Sequence, residues 1–468
     1  MSKQVNGINR EAAQYAIREL GRRAGVAAAH LRRWRVVSDN GQTIVYVQAD
    51  SEKRIVFPAA KPQFWQELSE GKVNTVRYGW MAPPAASLSN AVPDFIVPYA
   101  ENASGEIRPL FYAAGPDAVH CLVDLPVSAW LTLSRFEESQ AAGRDEHGRF
   151  IPTASLAGRL GFLERPIVDE YGLALEQALK FLMPAWKGRP RKLLVKLSHD
   201  CDVVGLPFSP KATLGHLLVR GAPAALWEDL RGAVTSRLPA YLRMVVDICK
   251  ISLERGLDSA LYWKASRRTP YDSGYDLGHP KVREVIRWAE AQGIEMGVHP
   301  AYDTFEAPEE LKREVTRARE VLGNQPMGGR QHFLRWSPEQ WEHWEKCGLA
   351  YDSTVGYARQ VGFRAGTCIP YRPWSLRLNR ELNLLEIPLI VMDGTLVEHR
   401  KLRLEESIET VNRLVSRVEM VGGVFTLLWH NSSLIGAGYN ELYTPLLDRL
   451  PGASRYDWVE DFRELCAG

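Results

Sequence analysis

The chain has 468 residues, of which 45% are hydrophobic, and this suits a globular protein of two or more domains with sizeable cores. Its 58 basic and 56 acidic side chains leave a formal net charge of only +2, which gives no electrostatic case for nucleic acid or an acidic membrane surface as a partner. No apolar run has the length of a membrane span, no signal-peptide core opens the chain, and the six cysteines show no CxxC spacing, so we predict a cytoplasmic protein without a disulfide framework.

The first part of the chain mixes short strand-like runs with helical spacing. The runs are "QTIVYVQAD", "RIVFPA", "DFIVPYA" and "HCLVDLP", and the helical pattern "EYGLALEQALKFLMPAW" follows them. Next comes "KGRPRK" (187–192), a basic segment whose glycine and proline discourage a helix from continuing. We therefore predict a smaller N-terminal α/β domain over residues 1–186 and a second domain over residues 187–468.

The second part alternates strand-like and helical patterns, which predicts a parallel sheet covered by helices. The predicted strands span residues 193–199, 259–264, 294–299, 328–334, 384–391 and 424–429. Helical patterns between them are "PAYLRMVVDICKISLERG", "HPKVREVIRWAEAQG", "PEELKREVTRAREVLG" and "EESIETVNRLVSRVEMVG". If such a sheet closes into a barrel, functional residues belong at the carboxyl ends of its strands.

Polar residues suited to a metal site gather at the ends of four predicted strands. They are His199, Asp200, Asp202, His299, Asp303, Arg330, His332 and His430. Positions i and i+2 share a face of a strand, so Arg330 and His332 should project together, as should Asp200 and Asp202 if the first strand persists that far. Imidazole and carboxylate ligands together suit zinc, and cobalt, nickel or manganese also accept them. A metal would also offset the cost of grouping these charges.

Each of these residues, taken alone, has an ordinary structural explanation. An Asp at a strand end more often caps a helix or shapes a turn, and a lone His is more often a hydrogen-bonded core or surface group. The coincidence at four strand ends is what favours a site. The chain has no GxxxxGK[ST], GxSxG or HExxH motif, and His216, His343 and His399 have no partner pattern, so we interpret them as structural.

The motifs resemble the polysaccharide deacetylase superfamily, carbohydrate esterase family 4, in a divergent branch with an extra N-terminal domain. The matching segments are "SHDCD", "GVHPAYDT", "RQHF" and "LLWH", together with "AYDSTVGYARQVGFRAGTCIPYRPW" between the last two. In the N-terminal part, "LSRFEES", "DEHGRF" and "LERPIVDEY" carry the resemblance. It covers about residues 191–433 and 124–171, and it implies a distorted (β/α) barrel of the deacetylase type.

The resemblance also implies a role for each site residue. Asp202, His299 and His332 would hold one divalent metal ion, with zinc the first choice. Asp200 would be the base that Arg330 orients, and His430 would be the acid. Here Cys201 separates the two aspartates, Asp303 replaces the second metal histidine of the family, and His332 replaces a proline. Asp303 is therefore the rival for the third ligand position.

The implied reaction is hydrolysis of an N-acyl group, most often N-acetyl, on an amino sugar. A cytosolic glycan precursor or a surface polysaccharide would be the substrate. Trp374 and Trp429 are candidates for stacking on a sugar ring, although core packing is the favoured role for Trp429. Two alternatives stay open at this point. One is an amidohydrolase acting on a small non-sugar amide, and the other is a glycan-binding protein with a decayed active site.

Overall fold

The structure is a computed structural model and describes residues 8–39, 42–48, 51–100, 107–140, 143–205, 238–257, 259–266, 268–435, 439–450 and 454–460. His216 and Cys466 lie outside these residues. The five cysteines that are described are free. None of the described helices is both long enough and apolar enough to cross a lipid bilayer.

The first part of the chain forms a mixed five-stranded sheet, a hairpin and several helices. The strands are β1 Arg35–Asp39, β2 Gln42–Tyr46, β3 Arg54–Phe57, β4 Thr75–Tyr78, β5 Phe95–Pro98, β6 Phe111–Ala113 and β7 Ala118–Cys121. The helices are α1 Arg10–Arg23, α2 Ala28–Leu31, α3 Pro62–Ser69, α4 Ala86–Ala91, α5 Leu125–Leu133, α6 Phe136–Gln140, α7 Leu156–Arg159 and α8 Ile167–Leu182. The sheet order is β1-β2-β3-β7-β6, with β3 and β7 parallel, and β4 pairs with β5.

Three of the four strand-like runs predicted in this part contain strands, namely β2, β3 and β5. The fourth, "HCLVDLP", contains only the last two residues of β7 and then leaves the strand. The side chain of Asp124 accepts a hydrogen bond from the amide of Val127 at 3.2 Å, and Pro126 fits the first turn of a helix. Strand β7 therefore ends at Cys121 and helix α5 begins at Leu125.

The second part alternates parallel strands and helices, as predicted. The strands are β8 Leu194–Cys201, β9 Ser259–Trp263, β10 Glu295–Val298, β11 Tyr351–Asp352, β12 Trp374–Ser375, β13 Arg380–Glu381, β14 Leu385–Glu386, β15 Val391–Met392, β16 Val424–Leu428 and β17 Ser454–Arg455. The helices are α9 Ala240–Leu253, α10 Pro280–Ala291, α11 Pro308–Leu322, α12 Pro338–Lys346, α13 Leu404–Val421 and α14 Asn440–Leu447. The four helical patterns of the sequence correspond to α9, α10, α11 and α13.

The parallel pairings follow one another in a series. The main sheet has the order β10-β9-β8-β16-β15, and β17 also pairs with β8. Single bridges from Gly329 to Val298 and to Asp352 continue the series to β11, which pairs with β14. Among the described residues no strand pairing joins β14 to β15, so a closed barrel stays a prediction, as does a domain division at residues 186 and 187.

Two of the predicted strands differ from the structure. Residues 328–334 form no strand. Gly329 lies so close to β10 that an added Cβ would be 1.9 Å from the carbonyl oxygen of Val298, and Phe333 and Leu334 turn the chain with φ values of +61° and +54°. Residues 384–391 form two short strands, β14 and β15, because Pro388 between them has no amide to donate.

A buried ion pair and a buried hydrogen bond join the first part of the chain to the second. Arg364 donates to Glu138 at 2.5 Å, and Arg135 donates to the same carboxylate at 2.7 Å. Arg23 donates to Asp169 at 2.8 Å, and Asp169 also accepts the amide of Cys368 at 2.7 Å. Apart from Arg23, these residues lie within the segments "LSRFEES", "LERPIVDEY" and "FRAGTC".

Replacing Glu138 with glutamine should lower the free energy of unfolding by about 3–5 kcal/mol, because it leaves two buried guanidinium groups without a counter-charge. Urea denaturation measures this loss. Burial alone would raise the pKa of Glu138, but Arg364 and Arg135 outweigh burial and hold the pKa below its ordinary value. The stabilisation is therefore present above the unfolded pKa, and the wild-type advantage should shrink as pH falls below about 4.

The matched control for this substitution is Glu164→Gln. Glu164 pairs with Arg413 at 2.6 Å, but both side chains are partly exposed, so this change should cost at most about 1 kcal/mol. Equal losses in the two variants would contradict the role given to Glu138.

Two buried carboxyl groups face each other where β11 pairs with β14. Asp352 and Glu386 are register partners, and both are fully buried. Burial raises the pKa of Asp352 to about 7, and burial together with the charge of Asp352 raises the pKa of Glu386. The folded protein therefore holds more protons here than the unfolded chain does, and the stability contribution of this pair is lost as pH rises from about 4 through 7.

Urea denaturation across this pH range tests the carboxyl pair. Asp352→Asn should flatten the fall of unfolding free energy between pH 5 and 8, because asparagine does not ionise and its oxygen can still accept the 2.9 Å hydrogen bond from the Thr354 amide. Parallel curves for the wild type and the variant would contradict this assignment.

Candidate metal and catalytic site

The three predicted metal ligands meet at the carboxyl edge of the parallel sheet. Asp202 follows β8, His299 follows β10, and His332 lies in the turn after the Gly329 bridges. The ligand atoms that the three residues offer lie within 4.8 Å of one another. Nε2 of His299 is 3.3 Å from Asp202 Oδ1, and Nε2 of His332 is 3.2 Å from the same oxygen. We call these residues the metal cluster.

Hydrogen bonds at Nδ1 orient both imidazoles of the metal cluster. Nδ1 of His299 lies 2.7 Å from the carbonyl oxygen of Arg330, and Nδ1 of His332 lies 2.9 Å from Asp272 Oδ1. The neighbour of His299 is an acceptor, so we assign its ring proton to Nδ1, which leaves the Nε2 lone pair facing Asp202. Nδ1 of His332 lies between the Asp272 carboxylate and Lys264 Nζ, which is 2.8 Å away. Support of this kind behind a histidine ligand is typical of metal sites.

Asp272 is a functional candidate that the sequence did not reveal. It accepts the Tyr302 amide at 3.0 Å and lies 3.1 Å from Lys264 Nζ. Burial would raise the pKa of Asp272, but the hydrogen bond with His332 and the charge of Lys264 hold it well below its ordinary value. Lys264 follows β9 and also lies 3.6 Å from Asp202 Oδ1, so it brings a positive charge to the edge of the metal cluster.

The metal cluster fits a divalent cation. Asp202 Oδ1 and His299 Nε2 are both buried and have no hydrogen-bond partner. A buried polar atom left unpaired costs about 1–3 kcal/mol, and coordination to a cation would remove that cost. Two imidazoles and one carboxylate form a ligand set that zinc accepts, with a position left open for water.

Asp303, the rival third ligand, is engaged elsewhere. Its Oδ1 accepts a hydrogen bond from Arg268 Nε at 2.8 Å, and its side chain is 35% exposed. Arg268 also pairs with Glu310 at 2.6 Å. Asp303 therefore belongs to a group of ion pairs near the surface, while His332 lies within the metal cluster.

Asp200 lies on the same side of β8 as Asp202. Strand β8 continues through Cys201, whose side chain points the other way into the core, so the aspartates on either side of it face the site together. Asp200 Oδ1 accepts a hydrogen bond from Arg330 Nη1 at 2.9 Å, and Asp200 Oδ2 lies 3.8 Å from Nε2 of His299. One carboxylate oxygen is thus held by arginine, and the other faces the metal cluster.

Arg330 is held as firmly as the carboxylate that it contacts. It donates from Nε to the carbonyl oxygen of Ser353 at 2.9 Å and from Nη2 to Ser198 Oγ at 3.0 Å. Its guanidinium lies 5.1 Å from the ring centroid of Tyr262, and the residue is 1% exposed. The predicted shared strand face with His332 is absent, yet both side chains reach the same site from a turn.

His430 follows β16, which pairs with β8 on the side opposite to β9. Its side chain faces the metal cluster. Its Nε2 lies 3.7 Å from Asp202 Oδ2, and its Nδ1 lies 2.8 Å from Asp393 Oδ1. The backbone amide of His430 and the hydroxyl of Ser433 both donate to Asp393 Oδ2, at 2.8 Å and 2.6 Å. Burial would lower the pKa of His430, but the charge and hydrogen bond of Asp393 raise it to about 10.

Three other residues named from the sequence have structural roles. His199 points away from the metal cluster, with Nδ1 2.7 Å from the carbonyl oxygen of Trp429 and Nε2 2.9 Å from Ser259 Oγ. Trp374 and Trp429 are buried in apolar clusters, and the Trp374 ring packs 5.3 Å from that of Tyr15. Neither tryptophan presents a face for a sugar ring, so that expectation was wrong.

One protein-family model matches the first part of the chain. Residues 5–184, less than half of the chain, match the model of DUF7033, a family of unknown function. No curated protein matches the chain in sequence.

Solved structures resemble the chain at low sequence identity. A protein from Mycobacterium smegmatis described as a polysaccharide deacetylase is 15% identical, with a TM-score of 0.42 over 60% of this chain and 93% of its own. Puue allantoinase is 12% identical, with a TM-score of 0.41 over 61% and 93%. A protein from Pseudomonas aeruginosa PAO1 also described as a polysaccharide deacetylase is 13% identical, with a TM-score of 0.40 over 59% and 92%.

Proposed function

We propose that this protein is a metal-dependent hydrolase that removes an N-acyl group, most simply N-acetyl, from an amino sugar of a cytosolic glycan precursor or a surface polysaccharide. The proposal rests on two buried ligand atoms without hydrogen-bond partners, Asp202 Oδ1 and His299 Nε2. On either side of them lie the carboxylate of Asp200, which Arg330 orients, and the imidazole of His430, which Asp393 orients. The amino sugar is proposed because the family that the ordered motifs resemble acts most often on N-acetylated amino sugars, although the motifs themselves do not specify the sugar.

The metal cluster would hold one divalent ion, and zinc is the ion that we propose. When bound, such an ion acidifies a water molecule and stabilises negative charge on a carbonyl oxygen. Lys264, 3.6 Å from Asp202 Oδ1, would share that carboxylate with the ion.

Asp200 would accept the proton of the attacking water. Its Oδ1 is occupied by Arg330, so Oδ2 is the oxygen available to take a proton. The arginine fixes the plane of the carboxylate through its own bonds to Ser198 and Ser353, which hold the base in one orientation. A positioned base of this kind contributes about 10²–10⁴-fold to a rate.

His430 would protonate the departing amine. Asp393 fixes the proton on Nδ1, so the second proton of the imidazolium lies on Nε2, which faces the site. A raised pKa keeps His430 in its cationic form near neutral pH, which a proton donor requires. Asp200 and His430 approach the metal cluster through different strands, β8 and β16.

Metal content and acetate release test the proposal together. The full-length protein is loaded with zinc or cobalt, freed of excess ion, and assayed with a panel of N-acetylated amino sugars and with small non-sugar amides. We expect one ion per chain and acetate release from the amino sugars, with both lost in His332→Ala and both retained in Asp303→Ala. Hydrolysis of the small amides alone would favour the amidohydrolase, and glycan binding without an ion or acetate would favour a decayed site.

A further inference from the structure

Four aromatic side chains form a continuous group beside the metal cluster, and we call this group the aromatic wall. Its members are His147, Tyr271, Tyr302 and Phe333. The ring centroids of Tyr271 and Tyr302 are 4.4 Å apart, with an angle of 31° between the ring planes. Phe333 meets the other three rings edge to face, with centroids between 4.8 and 5.5 Å away.

The aromatic wall is directly connected to the support of His332. Phe333 follows His332 in the chain, and the two rings are 4.7 Å apart. Tyr271 precedes Asp272, the carboxylate that orients His332, and the amide of Tyr302 donates to that same carboxylate at 3.0 Å. The aromatic wall is therefore an immediate neighbour of the metal cluster.

The wall presents an aromatic surface to solvent and is built with backbone strain. Tyr271 is 52% exposed, and the other three members of the wall are partly buried. Phe333 and Leu334 have φ values of +61° and +54°, a conformation that costs roughly 1–2 kcal/mol for each L-residue. Such strain persists only where the surroundings impose it, and it is concentrated at ligand sites.

The first part of the chain contributes the ring of His147 to the aromatic wall. It also contributes a hydrogen bond to Phe333, the member of the wall with positive φ. His147 lies in "DEHGRF", and its Nδ1 is 3.2 Å from the Tyr302 hydroxyl. Arg149 of the same segment donates to the carbonyl oxygen of Phe333 at 3.2 Å. Arg335 of the second part donates to the carbonyl oxygen of His147 at 2.9 Å. The segment is thus bound to the site through His147 and Arg149.

We infer that the aromatic wall is a carbohydrate subsite, which stacks on the pyranose ring next to the sugar that carries the acyl group. The inference rests on the proposed function for the identity of that second sugar. Aromatic faces match the C–H face of a pyranose, while the tyrosine hydroxyls and the imidazole of His147 can hydrogen-bond its edge. The segment from the first part would then make the enzyme prefer oligosaccharides to monosaccharides.

A glycan array tests the subsite apart from catalysis. The full-length Asp200→Asn protein is used as a non-hydrolysing probe on an array of N-acetylated oligosaccharides, and the affinity of the best-bound glycan is then measured by calorimetry. Adding Tyr271→Ala or His147→Ala should weaken binding about 2–10-fold each, whereas His147→Phe should retain most of it. Tyr112→Ala removes another exposed tyrosine, from β6, and should leave binding unchanged.

The outcomes separate this inference from the proposed function. If no array glycan binds, or if Tyr271→Ala binds as tightly as its parent, the subsite is overturned even where the wild type releases acetate. If binding depends on Tyr271 and His147 but the wild type neither holds an ion nor releases acetate, the subsite stands and the hydrolase proposal falls. Thermal unfolding of each variant, compared with Tyr112→Ala, shows that lost binding is not lost folding.

Discussion

Asp200→Asn is expected to lower turnover by roughly 10²–10⁴-fold while the ion stays bound. Asparagine can keep the hydrogen bond from Arg330 Nη1, now 2.9 Å from Asp200 Oδ1, but its amide nitrogen cannot accept a proton in place of Oδ2. The metal ligands Asp202, His299 and His332 are unchanged. Acetate release gives the rate, and elemental analysis of the purified variant gives the metal content.

A retained ion in Asp200→Asn also shows that the site still folds, although Arg330 has lost its counter-charge. His299→Ala serves as the opposite case, because it should lose ion and turnover together. If Asp200→Asn loses the ion and Asp202→Asn keeps it, the roles of the two aspartates are reversed from those proposed.

His430→Ala should lower the maximal rate on an amide by roughly 10²–10⁴-fold, with little change in substrate affinity. An amine is too basic to leave without a proton, and His430 is the imidazole whose Nε2 faces the metal cluster while Asp393 holds its Nδ1 at 2.8 Å. The loss should be much smaller for an ester or an activated anilide, because those leaving groups need less protonation. Steady-state kinetics on matched amide and ester substrates measure the difference.

Two companion variants sharpen the test of His430. Asp393→Asn keeps the shape of the pair but removes its charge, so it should show the same selective loss on the amide. His399→Ala removes an exposed histidine and should change neither rate. An equal loss on amide and ester in His430→Ala would indicate a packing or binding role and would remove the acid from the mechanism.

The residues of the candidate site could be predicted from the ends of the strands because of a property of parallel sheets. Carboxyl ends of neighbouring strands meet at one edge, so Asp202, His299 and His430 come together once the order of the strands is known. Asp393 could have been predicted in the same way if the predicted strand over residues 384–391 had been divided at Pro388. That interruption is visible in the sequence as a residue without an amide hydrogen.

Other parts of the site depend on geometry that sequence patterns do not carry. Asp272 lies in a loop, and its role is defined only by its 2.9 Å distance to His332. The turn at Phe333 requires positive φ in a residue that rarely adopts it, so alternation of residue types predicts a strand there instead. Tryptophan content does not separate buried rings from exposed ones, which is why Trp374 was wrongly predicted as a sugar contact, while the core packing favoured for Trp429 agrees with its burial.

Contacts between the two parts of the chain are the least predictable feature. Glu138 and Arg364 are separated by 226 positions, and nothing in either segment indicates the partner. Each alone is a charged residue, expected at the surface, and only the pairing makes its burial favourable.

Anomalous scattering at the zinc absorption edge, from crystals of the zinc-loaded protein, tests directly whether Asp202, His299 and His332 bind a metal ion. We predict a single strong peak about 2.0–2.2 Å from Asp202, His299 and His332, with Asp200 outside bonding distance. No peak between these three residues after loading would contradict the proposed metal site. A well-occupied ion bound by Asp303, with His332 turned away, would contradict the choice of His332 as the third ligand.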